Sequence, residues 1–278
     1  MSLKGSQHEN KQLIDRAIEL GINYFDTADL YDKGRNEQSV GAALKSKRDK
    51  VIIATKVGNE WKADGSGWTW NPRKDYILAS VEKSLQRLQT DYIDLYQLHG
   101  GTIEDPINES IEAFEMLVQQ GKIRYYGISS IRPNVIREYV LRSNIVSVMM
   151  QYSLLDRRPE ETCLPLLQQN NIGVLARGSV AQGLLIDKPA KAYLNYSVSE
   201  VEHVAKTVAS FSTEERSAAQ TTLQFVLQHP AITSVVSGIR TSDQLNDVAR
   251  TLVAPPLTPS EVKQLQSVLP VNAYDQHR

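Results

Sequence analysis

The chain has 278 residues and a formal net charge of -1 at pH 7; 41% of its residues are hydrophobic and 23% are charged. This length suits one large α/β barrel or two ordinary domains, and the apolar content excludes a disordered chain. The small net charge excludes a basic field over the whole chain that would attract nucleic acid or an anionic membrane.

The chain contains one cysteine, Cys163. A single cysteine excludes an internal disulfide and suits a reducing cytoplasm. Because it lies in an amphipathic stretch, we interpret it as a buried structural thiol rather than a nucleophile. We find no apolar run long enough for a membrane span and no signal-peptide profile, so we expect a cytoplasmic protein.

Short runs of β-branched and aromatic residues alternate with segments of helical period along the whole chain. Such runs are typical of buried strands in a parallel sheet. We predict strands at 22–28, 51–57, 91–99, 123–129, 145–153, 172–176 and 232–238. Apolar residues at helical spacing predict helices over 77–88 and 107–118. Thr258, Pro259 and Glu261 predict a capping-box start for a last helix.

This alternation indicates a parallel sheet covered by helices, either a closed barrel or an open doubly wound sheet. No glycine-rich dinucleotide fingerprint follows any strand, which favours the barrel. Polar side chains also recur at the strand ends. In a barrel, the active site is formed by residues from the ends of several strands, which meet at one rim. These residues are Asp26, Lys56, His99, Ser129 and Gln151. We therefore predict one barrel domain over 1–278.

Two opposite charges stand at the ends of apolar strands. Asp26 ends one strand and Lys56 ends the next, and burying either charge alone would be costly. Because consecutive strands are usually neighbours, the two charges can neutralise each other. Tyr31 follows in the loop above the first strand, where a lysine ammonium beside its hydroxyl would favour the phenolate and suit a proton donor. The alternative for Asp26 is a helix cap or a structural ion pair.

His99 ends the third strand and is followed by two glycines. Its ring nitrogens could hydrogen-bond a substrate carbonyl, and the glycines would leave room for that substrate. The alternative is a purely structural histidine. The other histidines lack metal-ligand spacing, so we expect no metal site.

Three segments of the sequence resemble the aldo-keto reductase family. GINYFDTADLYDKGRNE resembles its first signature, and ATKVG and DLYQLHG resemble the segments that carry its lysine and histidine. The resemblance continues through GKIRYYGISS, MMQYSLLDRR, AQGLL and VVSGIRTSDQL. It implies a (β/α)8 TIM barrel whose catalytic tetrad is Asp26, Tyr31, Lys56 and His99.

The resemblance also implies a reaction. A hydride would pass from the nicotinamide of NADPH to the carbonyl carbon of an aldehyde or ketone, and Tyr31 would protonate the developing alkoxide. Lys56, oriented by Asp26, would tune the tyrosine, and His99 would orient the carbonyl and stabilise its growing charge. A second interpretation stays open: relatives attached to ion channels show that this barrel can be a cofactor-binding regulatory subunit with little turnover.

Positions for the nicotinamide follow from the same resemblance. It implies that Ser129, Ser130 and Gln151 hold the carboxamide, although many family members have asparagine at the position of Ser130. Arg177 stands where the family often has an aromatic residue that stacks on the nicotinamide. A guanidinium can also stack on a planar ring, but its charge would change the electronics of the site.

Positions for the phosphate end are implied in SGIRTSDQL. Backbone amides near Gly238, at the end of the last strand and beside a helix start, suit a phosphate. Arg240 is the candidate for the 2′-phosphate of NADPH, with a solvated helix start as the alternative. Gln244 would contact the adenosine.

Loop 58–72 is rich in glycine and tryptophan. Its three indoles could form an apolar lid over a substrate, and Trp61 is our candidate pocket residue. Packing of the loop on the barrel rim is the alternative. We expect a small carbonyl substrate that the sequence does not identify, no nucleic-acid or membrane partner, and a monomer.

The beginning of the chain departs from the family pattern. Family chains usually open with a short hairpin and a first strand, and MSLKGS resembles only the tail of that strand. We therefore expect the hairpin and most of the first barrel strand to be missing, which would leave two neighbouring strand edges unpaired.

Overall fold

The computed structural model describes residue 3 and residues 5–278. These residues form two compact units. The first unit is the chain as far as Val148 together with Ile239–Thr241, and the second unit is Met149–Gly238 together with Ser242–Arg278. The single domain over 1–278 stays a prediction.

Helices and strands alternate along the described chain. The helices are α1 (Gln7–Glu19), α2 (Arg35–Leu44), α3 (Lys74–Leu88), α4 (Ile107–Gln119), α5 (Pro133–Arg142), α6 (Cys163–Gln169), α7 (Val198–Ser210), α8 (Ala218–Leu227), α9 (Ser242–Ala249) and α10 (Pro259–Ser267). The strands are β1 (Tyr24–Asp26), β2 (Ile52–Val57), β3 (Asn59–Trp61), β4 (Trp68–Trp70), β5 (Ile93–Leu98), β6 (Ile123–Ser129), β7 (Ser147–Gln151), β8 (Gly173–Arg177) and β9 (Ile232–Val236).

Each of the seven predicted strands is present, with ends that differ by at most two residues. An eighth strand before α1 would fall on the first six residues, of which residues 1, 2 and 4 lie outside the described part of the chain. In the first unit, β1, β2, β5 and β6 are parallel and adjacent in that order. The carboxyl ends of these strands therefore meet at one edge of the sheet.

The core of the first unit lies between these strands and their helices. Along β2 every residue after Ile52 is buried, as expected for a strand that is covered on both faces. The apolar face of α3 that the sequence predicts is buried through Ile77, Val81 and Leu88. The predicted helix over 107–118 is α4, which buries Phe114 and Leu117.

The glycine- and tryptophan-rich segment is a β-hairpin rather than an irregular loop. Strands β3 and β4 pair antiparallel, with Trp61 opposite Trp68. The ring of Trp70 lies over Gly58, where a Cβ atom would stand only 2.5 Å from the ring. Gly58 also has a left-handed φ of 121°. The glycine therefore allows the tryptophan to pack directly on the backbone at the end of β2.

The second unit contains the parallel pair β8 and β9, with Ala176 opposite Val235. Cys163 is buried there, as predicted. The predicted capping box at the start of α10 is confirmed: the Thr258 hydroxyl accepts from the Glu261 N–H, and the Glu261 carboxylate accepts from the Thr258 N–H.

The carboxyl-terminal segment is tied into the second unit by the buried side chain of Asn272. Its Oδ1 accepts from the N–H of Arg157 at 3.0 Å, and its Nδ2 donates to the carbonyl of Leu155 at 3.3 Å. Among the described residues, no helix is both long enough and apolar enough to cross a membrane.

We predict that Gly41→Ala destabilises the fold. A Cβ atom at Gly41, in α2, would lie 2.5 Å from the backbone carbonyl of Leu88 at the end of α3. Relieving this overlap requires a shift of packed backbone, so we expect a loss of about 3 kcal/mol in the free energy of unfolding. Denaturant unfolding followed by circular dichroism measures it.

Gly67→Ala is the matched control, because a Cβ atom there would meet no heavy atom within 4 Å. We expect it to change the free energy of unfolding by less than about 0.5 kcal/mol. Equal unfolding midpoints for the two variants would contradict the close approach of α2 and α3.

Candidate active site

A buried ion pair lies where β1 and β2 end. The ammonium of Lys56 donates to Asp26 Oδ2 at 2.5 Å and to the carbonyl of Thr27 at 2.7 Å. The Lys56 side chain is 1% exposed and that of Asp26 is 8% exposed, so water does not solvate either charge well. The two charges neutralise each other, as expected from the sequence.

Tyr31 and His99 lie against this ion pair. Their rings meet edge to face, with centroids 5.8 Å apart, and Lys56 Nζ lies 5.1 Å from the centroid of the Tyr31 ring. The first unit therefore brings together the four residues of the expected tetrad. Lys56 approaches the tyrosine through the ring rather than through a hydrogen bond to the hydroxyl, because its ammonium donates to Asp26 and Thr27 instead.

The Tyr31 hydroxyl is accessible to a substrate. The residue is 39% exposed, and its hydroxyl makes no hydrogen bond with the described part of the chain. It lies in a short 3-10 turn, Tyr31–Gly34, that follows β1 and precedes α2. A hydroxyl at this position can donate a proton to a bound oxygen atom.

The β3–β4 hairpin is attached to the loop that carries His99. Asn59 Nδ2 donates to the His99 carbonyl at 3.3 Å, and the Trp70 indole donates to Asp105 Oδ2 at 2.9 Å. Trp61, the expected pocket residue, is half-buried on this hairpin. The nearby Lys33 ammonium lies 5.1 Å from the centroid of the Trp61 ring.

A second layer of buried polar groups lies in the same unit. Glu37 is fully buried and accepts from the Thr55 hydroxyl and from Arg87 Nε, both at 2.6 Å. Asp29 is also buried, and its Oδ1 has no hydrogen-bond partner in the described residues. Burial, aided by the negative charge of Glu37, raises the pKa of Asp29 from its ordinary value of 3.8 to about 7.

Sequence reasoning missed this second layer. Asp29 and Glu37 stand inside the segment that resembles the family signature, where they follow the more conspicuous Asp26 and Tyr31. The available signal was the density of acidic residues in a segment next to a buried strand. The partner Arg87 lies in α3, fifty residues from Glu37, so no local pattern connects the two.

Ser129 and Ser130 are both buried where β6 ends in the first unit. The Ser130 hydroxyl oxygen accepts from the N–H of Arg132 at 3.2 Å. The Ser129 hydroxyl makes no hydrogen bond with any described residue, so it can bind a polar group of a cofactor. The same unit contains Arg240, which is exposed.

The remaining cofactor positions lie in the second unit. Gln151 Nε2 donates to Asp156 Oδ2 at 2.9 Å and to the Tyr193 hydroxyl at 2.7 Å, and Gln151 Oε1 accepts from Arg177 Nη1 at 3.2 Å. These contacts fix the amide and leave its oxygen able to accept one more hydrogen bond. Gly238 has open space where a Cβ atom would stand.

Each unit contains polar groups of the kind that a nicotinamide cofactor requires. In the first unit the Ser129 hydroxyl can donate a hydrogen bond, and in the second unit the fixed Gln151 oxygen can accept one. Gln244 is an exposed residue of α9. No signal in the sequence identified Tyr193, which holds Gln151 from 42 residues away.

The profile described as Aldo/keto reductase family matches residues 2–270 of the chain. The chain belongs to the aldo-keto reductase family. It has the (β/α)8 barrel fold of that family.

Similar proteins support this assignment. The chain is 52% identical to the uncharacterized oxidoreductase YqkF of Bacillus subtilis, over 100% of this chain and 93% of that protein. A solved aldo-keto reductase from Bacillus halodurans, in its holo form, is 50% identical, with a TM-score of 0.94 over 100% of this chain and 92% of that one. An NADH-specific methylglyoxal reductase of Escherichia coli is 36% identical, over 63% of this chain and 57% of that protein.

We predict that Asp29→Asn makes stability less dependent on pH. The raised pKa means that the folded protein keeps a proton on Asp29 at pH values where the unfolded chain has lost it. The wild-type protein is therefore destabilised as the pH rises from about 4 to about 7. At pH 8 the variant should be more stable than the wild type by on the order of 2 kcal/mol, and this gain should vanish near pH 4.

Denaturant unfolding at several pH values measures the difference between the two proteins. Asp49→Asn is the control, because Asp49 is an exposed acid of the same unit. It should leave the pH dependence unchanged. A constant difference between wild type and Asp29→Asn across this pH range would show that Asp29 ionises normally.

Proposed function

We propose that the protein reduces aldehydes or ketones to alcohols with NADPH, and that Tyr31 is the proton donor. The observation that carries this proposal is the contact of Tyr31 and His99 above the buried Lys56–Asp26 pair. An accessible hydroxyl, an imidazole and a buried cation at one strand edge suit the protonation of an oxygen that gains negative charge.

NADPH, when bound, supplies the hydride, and the residues of the chain direct the proton. Tyr31 donates the hydroxyl proton to the substrate oxygen. His99, whose ring meets the tyrosine at 84°, orients that oxygen. Lys56 faces the tyrosine ring and favours negative charge on the phenolic oxygen once the proton has left, and Asp26 holds Lys56 in position.

Side chains at several strand ends are proposed to hold the cofactor. Ser129 and Gln151 have the hydroxyl and amide groups that a nicotinamide carboxamide requires, and Ser130 follows Ser129 in the chain. Arg177 donates to Gln151 and would present its guanidinium plane to the nicotinamide. Gly238 allows close approach of a phosphate to the backbone, and Gln244 would contact the adenosine.

The choice of NADPH over NADH depends on Arg240 in this proposal. One relative is named as NADH-specific, so family membership does not decide between the two cofactors. An exposed guanidinium suits the 2′-phosphate that only NADPH carries. We expect the enzyme to act in the cytoplasm, as a monomer, on small carbonyl compounds.

We predict that Tyr31→Phe lowers turnover at least about 100-fold, because the variant lacks the proton donor. NADPH oxidation with a reactive aromatic aldehyde, followed by absorbance, measures turnover. Fluorescence titration measures the NADPH dissociation constant, which should change less than about twofold. Tyr125→Phe is the matched control, because Tyr125 is 57% exposed in the middle of β6; it should retain wild-type turnover.

The outcomes separate the two classes of function. A collapse of turnover in Tyr31→Phe alone supports the reductase. Equal turnover in wild type and Tyr31→Phe would exclude Tyr31 as the donor. NADPH binding without turnover in the wild type would favour the cofactor-binding regulatory subunit.

We predict that Arg240→Gln weakens NADPH binding about tenfold and leaves NADH binding nearly unchanged, because only NADPH carries the 2′-phosphate that this charge would bind. Fluorescence titration with both cofactors measures this. The control is Arg250→Gln, an exposed arginine near the end of α9. A parallel loss for both cofactors would contradict the assignment of Arg240.

A further inference from the structure

The turn that carries Tyr31 has an unusual backbone. Asp32 and Lys33 are both left-handed, with φ of 51° and 54°, although neither is glycine. Such residues are strained and persist only where the surrounding structure holds them. This turn directs the Lys33 side chain to the β3–β4 hairpin, where its ammonium donates to the Gly65 carbonyl at 3.3 Å.

The charge of Lys33 has no counter-charge in the described part of the chain. Its partners are the Gly65 carbonyl and the ring of Trp61, and no carboxylate lies within 4.0 Å of its ammonium. An ammonium has three donors, so this one has donors left for a ligand. The side chain is exposed, so a ligand can reach it.

Trp61, whose ring centroid lies 5.1 Å from this ammonium, supplies a second donor. Its indole Nε1 is buried and has no hydrogen-bond partner among the described residues. Buried polar atoms almost always have a partner, and an indole N–H can only donate. Lys33 and Trp61 therefore both lack the same kind of group, a negatively charged or strongly polar acceptor.

Short connections join this pair to the reacting groups. Lys33 follows Tyr31 by two residues, and the hairpin that carries Trp61 is joined to His99 through Asn59. A substrate whose carbonyl oxygen meets Tyr31 would extend its far end along the hairpin. The acceptor that Lys33 and Trp61 need is then supplied by the substrate itself.

We propose that Lys33 and Trp61 form an oxyanion subsite that selects carbonyl substrates with a distal carboxylate or phosphate ester. The subsite deepens the proposed function and depends on it. Charge-assisted hydrogen bonds from an ammonium to an oxyanion are roughly twice as strong as neutral ones. The Lys33 charge would also raise the rate of encounter with anionic substrates at low ionic strength.

The test compares matched aldehydes that differ only in the distal group. These are 4-carboxybenzaldehyde, 4-formylphenyl phosphate and the neutral 4-methoxybenzaldehyde. In Lys33→Gln, we expect kcat/KM to fall about tenfold for at least one anionic aldehyde and to change less than twofold for the neutral one. Lys33→Arg should retain most of the wild-type value, because it keeps the charge.

Two further variants separate the subsite from general effects. Trp61→Phe keeps an aromatic ring but removes the N–H, so it should lower kcat/KM several-fold more for the anionic aldehydes than for the neutral one. Lys62→Gln removes an exposed lysine from the same hairpin and should leave every kcat/KM unchanged. The effect of Lys33→Gln should shrink at high salt, since screening weakens exposed charges.

The results identify the ligand or overturn the subsite. A loss for one anion alone identifies carboxylate or phosphate as the group recognised. An equal loss for charged and neutral aldehydes, or no loss for any, overturns the inference while the reductase stands. If no aldehyde is reduced, the proposed function fails, and saturation-transfer NMR with 4-(hydroxymethyl)benzoate decides the subsite: binding lost in Lys33→Gln supports it, and unchanged or absent binding overturns it.

Discussion

The pairing of Lys56 with Asp26 is the interaction on which the candidate site depends. Neither charge could be buried alone without a large desolvation cost, so each requires the other. Their contact in turn requires that β1 and β2 be adjacent and parallel, with Asp26 opposite Ala54 in the register. A shift of one residue would turn one of the two side chains to the opposite face of the sheet.

The buried pair also explains the surroundings of the site. Removing water from Lys56 strengthens the influence of its charge on the ring of Tyr31, because a low dielectric environment weakens electrostatic forces less than water does. The second polar layer, with Glu37 held by Thr55 and Arg87, keeps a further negative charge near the same strands. This charge contributes to keeping Asp29 protonated, so the layer carries less negative charge than its sequence suggests.

Local sequence patterns predicted most of the helices and strands. Strands such as β6 were predictable because β-branched and aromatic residues cluster in a run of strand length, and α10 because its capping box is a contact between residues three apart. The hairpin at Trp61 was predicted as a loop, since glycines and polar residues interrupt its strands. In the structure these strands pair antiparallel, with Trp61 opposite Trp68. The sequence does not indicate this pairing, because it depends on the turn between the two strands.

The residues of the candidate site also differ in how far local sequence could indicate them. Asp26, Tyr31, Lys56 and His99 could be proposed because each stands at or just after a strand end. Lys33 could not, because its significance comes from two left-handed backbone angles and a contact with a separate hairpin. Tyr193 could not be predicted either, because its hydroxyl accepts a hydrogen bond from Gln151, which is 42 residues away in the sequence.

The contacts of Asn272 have a consequence for the order in which the chain can fold during synthesis. Its partners Arg157 and Leu155 leave the ribosome well over one hundred residues earlier. The buried backbone groups of these partners must stay hydrated or find temporary partners until Asn272 is synthesised, since an unpaired buried amide is costly. The pairings of β1, β2, β5 and β6 join residues between Tyr24 and Ile128. The nascent protein can therefore organise its ion pair early, whereas the buried contacts of the second unit are completed only after Asn272 has emerged.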